Sequence, residues 1–152
     1  MPHRTIVYVD GFNFYYGEVR GTAFKWLDPA ALFARVLGKQ NELLRIRYFT
    51  ARIQPSTTNA HASIHQDAYL RALRAHCPLV VSNDSDLAEA LRLAKARHKL
   101  VGLVTPGAPL RKTSQQLRQH ADFIRPVRTW MLRDSQLPSP IPGTTIRKPS
   151  GW

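Results

Sequence analysis

The sequence contains a single cysteine, Cys77, among 152 residues, and it has no long apolar run. One thiol cannot build a framework of internal disulfides, so a reducing compartment is expected. The apolar run at residues 6–9 is too short for a signal peptide, and no run approaches the ~20 residues that a membrane-spanning helix needs. The sequence therefore predicts a soluble, cytoplasmic protein that does not bind membranes.

Acidic side chains are also scarce, with 10 Asp and Glu against 22 Lys and Arg, which gives a formal charge of +12. Residues 87–152 hold 12 basic and 3 acidic side chains, a net of +9. A basic surface favours a polyanionic partner, because neutralised phosphates release their counterions; a solvated surface that aids solubility has the same composition. We predict a nucleic acid as the partner, with phosphate contacts from Arg111, Lys112 and Arg118; an ordinary exposed basic face explains these three residues equally well.

The order of sequence patterns predicts an α/β domain. Apolar or β-branched runs at residues 5–9, 45–50, 79–82, 100–104 and 122–124 predict strands. Helical spacing of apolar residues lies between them, at 29–37, 62–75, 86–97 and 113–120. Such alternation implies a mostly parallel sheet. We assign residues 1–125 to this domain and residues 126–152, which are rich in Pro and Gly, to an irregular C-terminal tail.

The first motif with chemical potential follows the first predicted strand. Asp10 ends that strand, Gly11 permits a tight turn, and Asn13 follows three residues later. One helical turn would bring the Asn13 amide close to the Asp10 carboxylate. A structural role for Asp10, as the cap of the next helix, explains the same residues equally well.

The second motif, Ser82-Asn83-Asp84-Ser85-Asp86, follows the third predicted strand. Hard divalent cations such as Mg²⁺ bind carboxylate oxygens and keep several waters. A capping box with Glu89 would explain Asp86 but not Asp84. Ligands bind beyond the carboxyl ends of parallel strands, so the two motifs together predict a metal site. Their spacing alone fits a nuclease, a phosphatase or a receiver-like acidic site.

The residues of both motifs resemble a known family. The segments VYVDGFNFYYG (residues 7–17) and LVVSNDSDLAEALRLAK (residues 79–95) are similar to the signature segments of the NYN domain, LabA-like subgroup. WLD, RIRYFTA, YLRAL and RKPSGW are similar to it as well, so the resemblance covers nearly the whole chain. It implies a three-layer, Rossmann-like (PIN-like) domain that cleaves RNA with Mg²⁺ or Mn²⁺, and the candidate site residues are Asp10, Asn13, Asp84 and Asp86.

The chain departs from the family between the helix that ends at Ala75 and the strand that begins at Leu79. Family members carry a longer segment there, with a Lys-Gly-x-Asp-type motif that supplies another acidic residue. Only three residues connect the two elements here, and Asp67 is the only carboxylate in residues 62–78. An internal deletion, a degenerate gene or a specialised short form of the domain would each explain the shorter segment, and each predicts impaired activity. An exposed sheet edge would follow, and dimerisation is one way to cover it.

The leading hypothesis is a Mg²⁺- or Mn²⁺-dependent ribonuclease. Asp10 and Asp84 would coordinate the metal, Asp86 would assist, and Asn13 would orient Asp10 or a water molecule. One alternative is a non-catalytic RNA-binding module that retains the fold. A second alternative is a phosphatase or another small-molecule enzyme that uses Mg²⁺.

Overall fold

The computed structural model of the chain describes residues 1–77, 79–82, 87–105, 118–119 and 121–152. Strands and helices alternate along them, as the sequence predicts, and their ends move by only a few residues. None of the described helices combines the length and the apolar character needed to cross a membrane. The elements in chain order are β1 (His3–Asp10), α1 (Gly11–Phe14), a π-helical turn (Tyr15–Val19), α2 (Pro29–Leu37), β2 (Asn41–Phe49), α3 (Ala62–His76), β3 (Leu79–Ser82), α4 (Leu87–Ala96), β4 (Gly102–Thr105), β5 (Phe123–Pro126) and α5 (Thr129–Arg133).

The strands form two parallel sheets. One sheet has three strands in the order β1–β2–β3, and β4 pairs with β5 in the other. Val7 lies opposite Ile46 and Val9 opposite Tyr48, so β1 and β2 bury the same face. The α/β class with parallel sheets is confirmed. The helix predicted at residues 113–120 lies almost wholly outside the described residues.

Helix α2 begins and ends where its sequence predicts. The Asp28 Oδ1 atom accepts hydrogen bonds from the backbone N–H groups of Ala30 and Ala31, at 2.9 and 3.1 Å. Pro29 occupies the first turn, where its missing N–H costs nothing. Gly38 ends the helix with φ of 69°, a conformation that favours glycine. The helix packs on β2 and α5 through an apolar stripe of Leu32, Phe33, Val36 and Leu37.

The segment after β5 packs against the core. The Trp26 indole N–H donates to the Pro138 carbonyl at 3.1 Å, and the Leu137 N–H donates to the Trp26 carbonyl at 2.8 Å. Part of this segment, which the sequence assigns to an irregular tail, forms α5. Its apolar side chains fill gaps that the strands and helices leave, and the buried ones are Val127, Leu132, Leu137 and Ile141.

The last residue, Trp152, lies on the same side of the core. Its ring packs edge-on against Trp26 and Tyr69, with centroid distances of 6.0 and 5.3 Å. The Tyr69 hydroxyl donates to the Leu27 carbonyl at 2.9 Å. The aromatic residues near both ends of the sequence therefore share one cluster, and Trp26 is almost completely buried in it.

Candidate functional site

Asp10 ends β1, and its carboxylate holds the next turn of the chain. The Oδ1 atom accepts from the Asn13 backbone N–H at 3.0 Å, and the Oδ2 atom accepts from the Asn13 side-chain amide at 2.7 Å. The predicted approach of the Asn13 amide to this carboxylate is confirmed. Asp10 is also the N-cap of α1, so helix capping accounts for the bond from the Asn13 backbone N–H but not for the bond from its side-chain amide.

Gly11 allows the chain to turn directly against Tyr48 of β2. A Cβ atom at residue 11 would lie 2.5 Å from Tyr48 Cε1 and 3.0 Å from the Phe49 carbonyl oxygen. The Tyr48 ring is buried, which raises the pKa of its phenol, and the nearby Asp10 carboxylate raises that pKa further. The Tyr48 hydroxyl is therefore neutral at physiological pH and cannot act as a base there.

One face of the three-stranded sheet is open to solvent along β1 and β2. On β1, Ile6 is 46% exposed and Tyr8 is 40% exposed. On β2, Arg45 and Arg47 are exposed and Phe49 is half-buried. Parallel sheets are almost always covered on both faces by helices, so an open face with apolar side chains is unusual.

Four of the side chains at the carboxyl end of this face are direct neighbours. Tyr8 pairs with Arg47, and Asp10 pairs with Phe49, across the two strands. The Tyr8 and Phe49 rings stack with centroids 6.2 Å apart and planes inclined by 14°. We call Tyr8, Asp10, Arg47 and Phe49 the sheet-end quartet. It combines a cation, an anion and two aromatic rings.

The other predicted site residues fall in different parts of the chain. Arg118 is described and exposed. Within the described residues, no group of three or more His, Cys, Asp or Glu side chains is placed to hold a metal ion. The remaining four candidates lie outside the described residues: Asp84, Asp86, Arg111 and Lys112.

The strand order bears on the predicted convergence of the two acidic motifs. The motifs follow β1 and β3, and β2 lies between these strands. The carboxyl ends of β1 and β3 are therefore separated by two strand spacings, roughly 9–10 Å. Neighbouring strands would have placed the two ends only about 4.8 Å apart.

A second polar cluster lies beneath α2 and was not predicted. The Cys77 thiol donates to Asp28 Oδ1 at 3.4 Å, and His76 Nε2 lies 3.3 Å from Asp28 Oδ2. Burial raises the pKa of Cys77 to about 12, and the Asp28 carboxylate adds to the shift. A thiol that stays protonated is a poor nucleophile, so this cluster is structural. Asp28 and Cys77 are 49 positions apart, and the local sequence carries no signal for such a contact.

Comparison with known proteins gives one informative similarity. No family model matches the sequence, and no solved structure matches the chain. The chain is similar to 6-hydroxy-3-succinoylpyridine 3-monooxygenase HspA of Pseudomonas putida (strain DSM 28022 / S16), with 42% identity over 89 residues. The match covers 48% of this chain and 28% of the relative, so this chain corresponds to little more than a quarter of that protein.

This similarity corrects the predicted function. A monooxygenase is an oxidoreductase, whereas the sequence motifs predicted a hydrolase that cleaves RNA. The prediction of a metal-dependent ribonuclease is wrong, and so is the prediction of Mg²⁺ or Mn²⁺ as its cofactor. The physical reason is that an acidic residue at a strand end serves several chemistries, and Asp10 also serves as the N-cap of α1 in the structure.

Proposed function

We propose that this chain is part of an oxidoreductase of the monooxygenase class that acts on a hydroxylated aromatic nitrogen heterocycle. The observation that carries the proposal is the 42% identity over 89 residues with the 6-hydroxy-3-succinoylpyridine 3-monooxygenase. Because the chain covers 28% of that relative, the proposal concerns the class of reaction and of substrate.

The chemistry sets two requirements on the protein. In a monooxygenation, one atom of molecular oxygen enters the substrate and the other leaves as water, while a reductant supplies two electrons. The protein has to hold a planar ring in place and to fix the polar groups that orient it. The sheet-end quartet supports the proposal, because it offers two stacked rings beside a carboxylate and a guanidinium.

We further propose that the domain is a shortened NYN domain with a three-layer, PIN-like arrangement. The hydrogen bonds between Asp10 and Asn13 and the parallel order of β1, β2 and β3 support this assignment. Only two residues separate α3 from β3, which supports an internal deletion at that point. Two further parts of this proposal are that the domain comprises residues 1–125, followed by a C-terminal tail, and that the chain forms a homodimer.

An isotope-labelling experiment tests the proposed reaction. The purified chain is incubated with 6-hydroxy-3-succinoylpyridine and reduced nicotinamide adenine dinucleotide under ¹⁸O₂. The products are analysed by mass spectrometry. We expect one ¹⁸O atom in the pyridine product and no label from H₂¹⁸O under ordinary oxygen. The P. putida relative, assayed in parallel, shows that the conditions support turnover.

A matched pair of variants links the turnover to the site. Asp10→Asn keeps a side chain that can cap α1 but removes the charge, and Asp67→Asn removes a carboxylate on α3. We expect the first variant to lower turnover at least 10-fold and the second to leave it unchanged. A chain that transfers no oxygen while the relative does so under the same conditions contradicts the proposed function.

A polyanionic partner is a separate proposal that concerns binding alone. The net charge of +12 supports it, and RNA is the partner that we propose. Affinity for a single-stranded oligouridylate should fall steeply with salt, because phosphate neutralisation would supply most of it. The double variant Arg111→Gln, Lys112→Gln should weaken binding and reduce the salt slope; a slope near zero for the unaltered chain argues against an RNA partner.

A further inference from the structure

We infer that the sheet-end quartet is a binding site for a small planar ring that carries an anionic group. Arg47 would bind the anion, Tyr8 and Phe49 would contact the ring, and Asp10 would accept a hydrogen bond from a ring hydroxyl. The inference rests on the proposed function for the aromatic nature of the ligand. The anionic group follows from the structure itself.

The register of β1 and β2 places the four side chains on one face. Paired residues in neighbouring parallel strands project to the same side of the sheet, and here Tyr8 pairs with Arg47 and Asp10 with Phe49. Their neighbours Val7, Val9 and Tyr48 point into the core instead. A one-residue slip of either strand would bury its quartet residues, so the core packing fixes this arrangement.

Arg47 supplies an uncommitted cation. Its side chain is exposed, and it forms no hydrogen bond or ion pair with any other residue in the described part of the chain. A guanidinium presents two parallel N–H groups that match a carboxylate. The same holds for Arg45, which lies two residues further from the carboxyl end of the strand, opposite Ile6. The face is therefore electropositive and complementary to an anion.

The two rings provide apolar surface beside that cation. Tyr8 is 40% exposed, and its ring lies nearly parallel to that of Phe49. Aromatic rings gain about 0.5–1.5 kcal/mol from offset stacking beyond the area that they bury. A planar ligand ring placed against the exposed Tyr8 ring would cover apolar surface that water now contacts.

Asp10 lies at the far corner of the quartet from Arg47. The two Cα atoms are separated by one strand spacing and two residue rises, roughly 8 Å along the diagonal. Each oxygen of Asp10 already accepts one hydrogen bond from Asn13, and a carboxylate oxygen has a second lone pair. A six-membered ring with a hydroxyl and an acidic substituent on opposite carbons would therefore reach both residues.

Charge argues for a small acid rather than a second copy of the chain. A symmetric dimer through this face would place Arg45 and Arg47 of both copies, four cations, in one interface beside two Asp10 carboxylates. The chain carries a net charge of +12, so the rest of the surface gives no compensating attraction. An aromatic acid instead supplies the missing negative charge and the ring together.

The experiment measures binding without turnover. The probe is 6-hydroxynicotinate, which is titrated into the ¹⁵N-labelled full-length chain and followed by NMR. Two control ligands are titrated in the same way: 6-hydroxynicotinamide, which is uncharged, and succinate, which is not aromatic. We expect shifts at residues 8–10 and 47–49, and at least 10-fold weaker binding for both control ligands. Equal affinity for acid and amide, or shifts confined to other residues, would overturn the inference.

Two variants assign the contacts. Arg47→Gln should weaken binding of the acid at least 10-fold while the amide binds as before, and Tyr8→Leu should weaken both. Arg74→Gln removes an exposed arginine of α3 and should change neither affinity. Circular dichroism spectra that match the unaltered chain show that the variants are folded. If Arg47→Gln and Arg74→Gln have equal effects, general charge explains the binding and the site is wrong.

Two further results separate this inference from its alternatives. If the acid binds specifically but no oxygen is transferred, the proposed reaction is refuted and the binding site stands. If oxygen is transferred and Arg47→Gln does not change the rate, the binding site alone is refuted. A single-stranded oligouridylate that displaces the acid and loses affinity in Tyr8→Leu would show that the face binds nucleic acid, which would also overturn the inference of a small ligand.

Discussion

Helices α2 and α4 both have apolar residues at helical spacing, but the described residues of the two stripes differ in burial. Leu32 on α2 is 0% exposed and Phe33 is 3% exposed. On α4, the described stripe residues Ala90, Leu91 and Ala94 are half-buried, and Leu93, which lies off the stripe, is 43% exposed. Both stripes have helical spacing, so periodicity predicts where a helix forms but not how deeply it is buried.

The difference lies in what each helix packs against. The stripe of α2 lies against β2 and α5, and the segment after β5 closes over it. The Asp28 cap connects the start of α2 to His76 and Cys77 at the end of α3. The contacts of α4 include an ion pair at its exposed side, between Lys95 and Asp122 at 2.6 Å. Depth of burial is therefore a property of the surrounding elements.

The largest expected effect is the loss of stability when a buried side chain of α2 is shortened. Leu32→Ala removes a fully buried side chain and should lower the free energy of unfolding by about 2–5 kcal/mol. Leu93→Ala makes the same chemical change on α4 and should cost less than about 0.5 kcal/mol. Urea denaturation followed by circular dichroism measures both. Similar losses for the two variants would show that Leu93 is packed as tightly as Leu32.

A smaller effect is expected at the turn after β1, which belongs to the same packed region. Gly11→Ala places a Cβ atom against the buried Tyr48 ring and should cost about 1–3 kcal/mol. Tyr48→Val removes that ring, so adding Gly11→Ala to it should cost much less than in the unaltered chain. Additive losses in the double variant would mean that the ring is not the obstacle.

The core around α2 and β1 also shows which structural features the sequence predicts. The Asp28 cap, the Gly38 end of α2, the β3 strand and the contact between Asp10 and Asn13 all follow from local signals. These features depend on residues within four positions of each other, or on a short apolar run. Local rules of this kind hold here because the same residues satisfy the core.

Features that depend on distant residues were not predicted. The packing of Leu137 and Trp152 against Trp26 joins residues more than 100 positions apart, in a segment without periodicity. The sheet-end quartet depends on the register of β1 and β2, which shifts between Thr5 and Ile6. Strand register and tertiary contacts are set by the whole fold, so a single sequence cannot supply them.

A further prediction separates the two roles of Asp28. Asp28→Ala removes the cap of α2 and the carboxylate beside His76 and should cost about 1–2 kcal/mol. Asp28→Asn keeps a side chain that caps a helix equally well but removes the charge, and it should recover most of that loss. If the Asn variant is as unstable as the Ala variant, the contact with His76 is the more important one.

The smallest expected effect is the response of this cluster to alkaline pH. The pKa of Cys77 is about 12 in the folded chain, above its usual value of 9.0, because the thiol is buried beside a carboxylate. The unfolded chain therefore loses the thiol proton first as the pH rises. The stability that the neutral thiol contributes is complete below pH 9 and is lost progressively between pH 9 and 12.

The Cys77→Ala variant tests this sign. Its free energy of unfolding should fall less steeply between pH 8 and 10 than that of the unaltered chain, whereas the exposed change Leu93→Ala should leave the slope as it is. Native Cys77 should also react with a disulfide reagent at pH 8 more than 10-fold slower than in urea, because the thiolate is the reactive form. If native Cys77 reacts fast, and Cys77→Ala leaves the pH dependence of the free energy of unfolding unchanged, then the thiol at the end of α3 is accessible to solvent. The tight packing of α2 would then not extend to the end of α3.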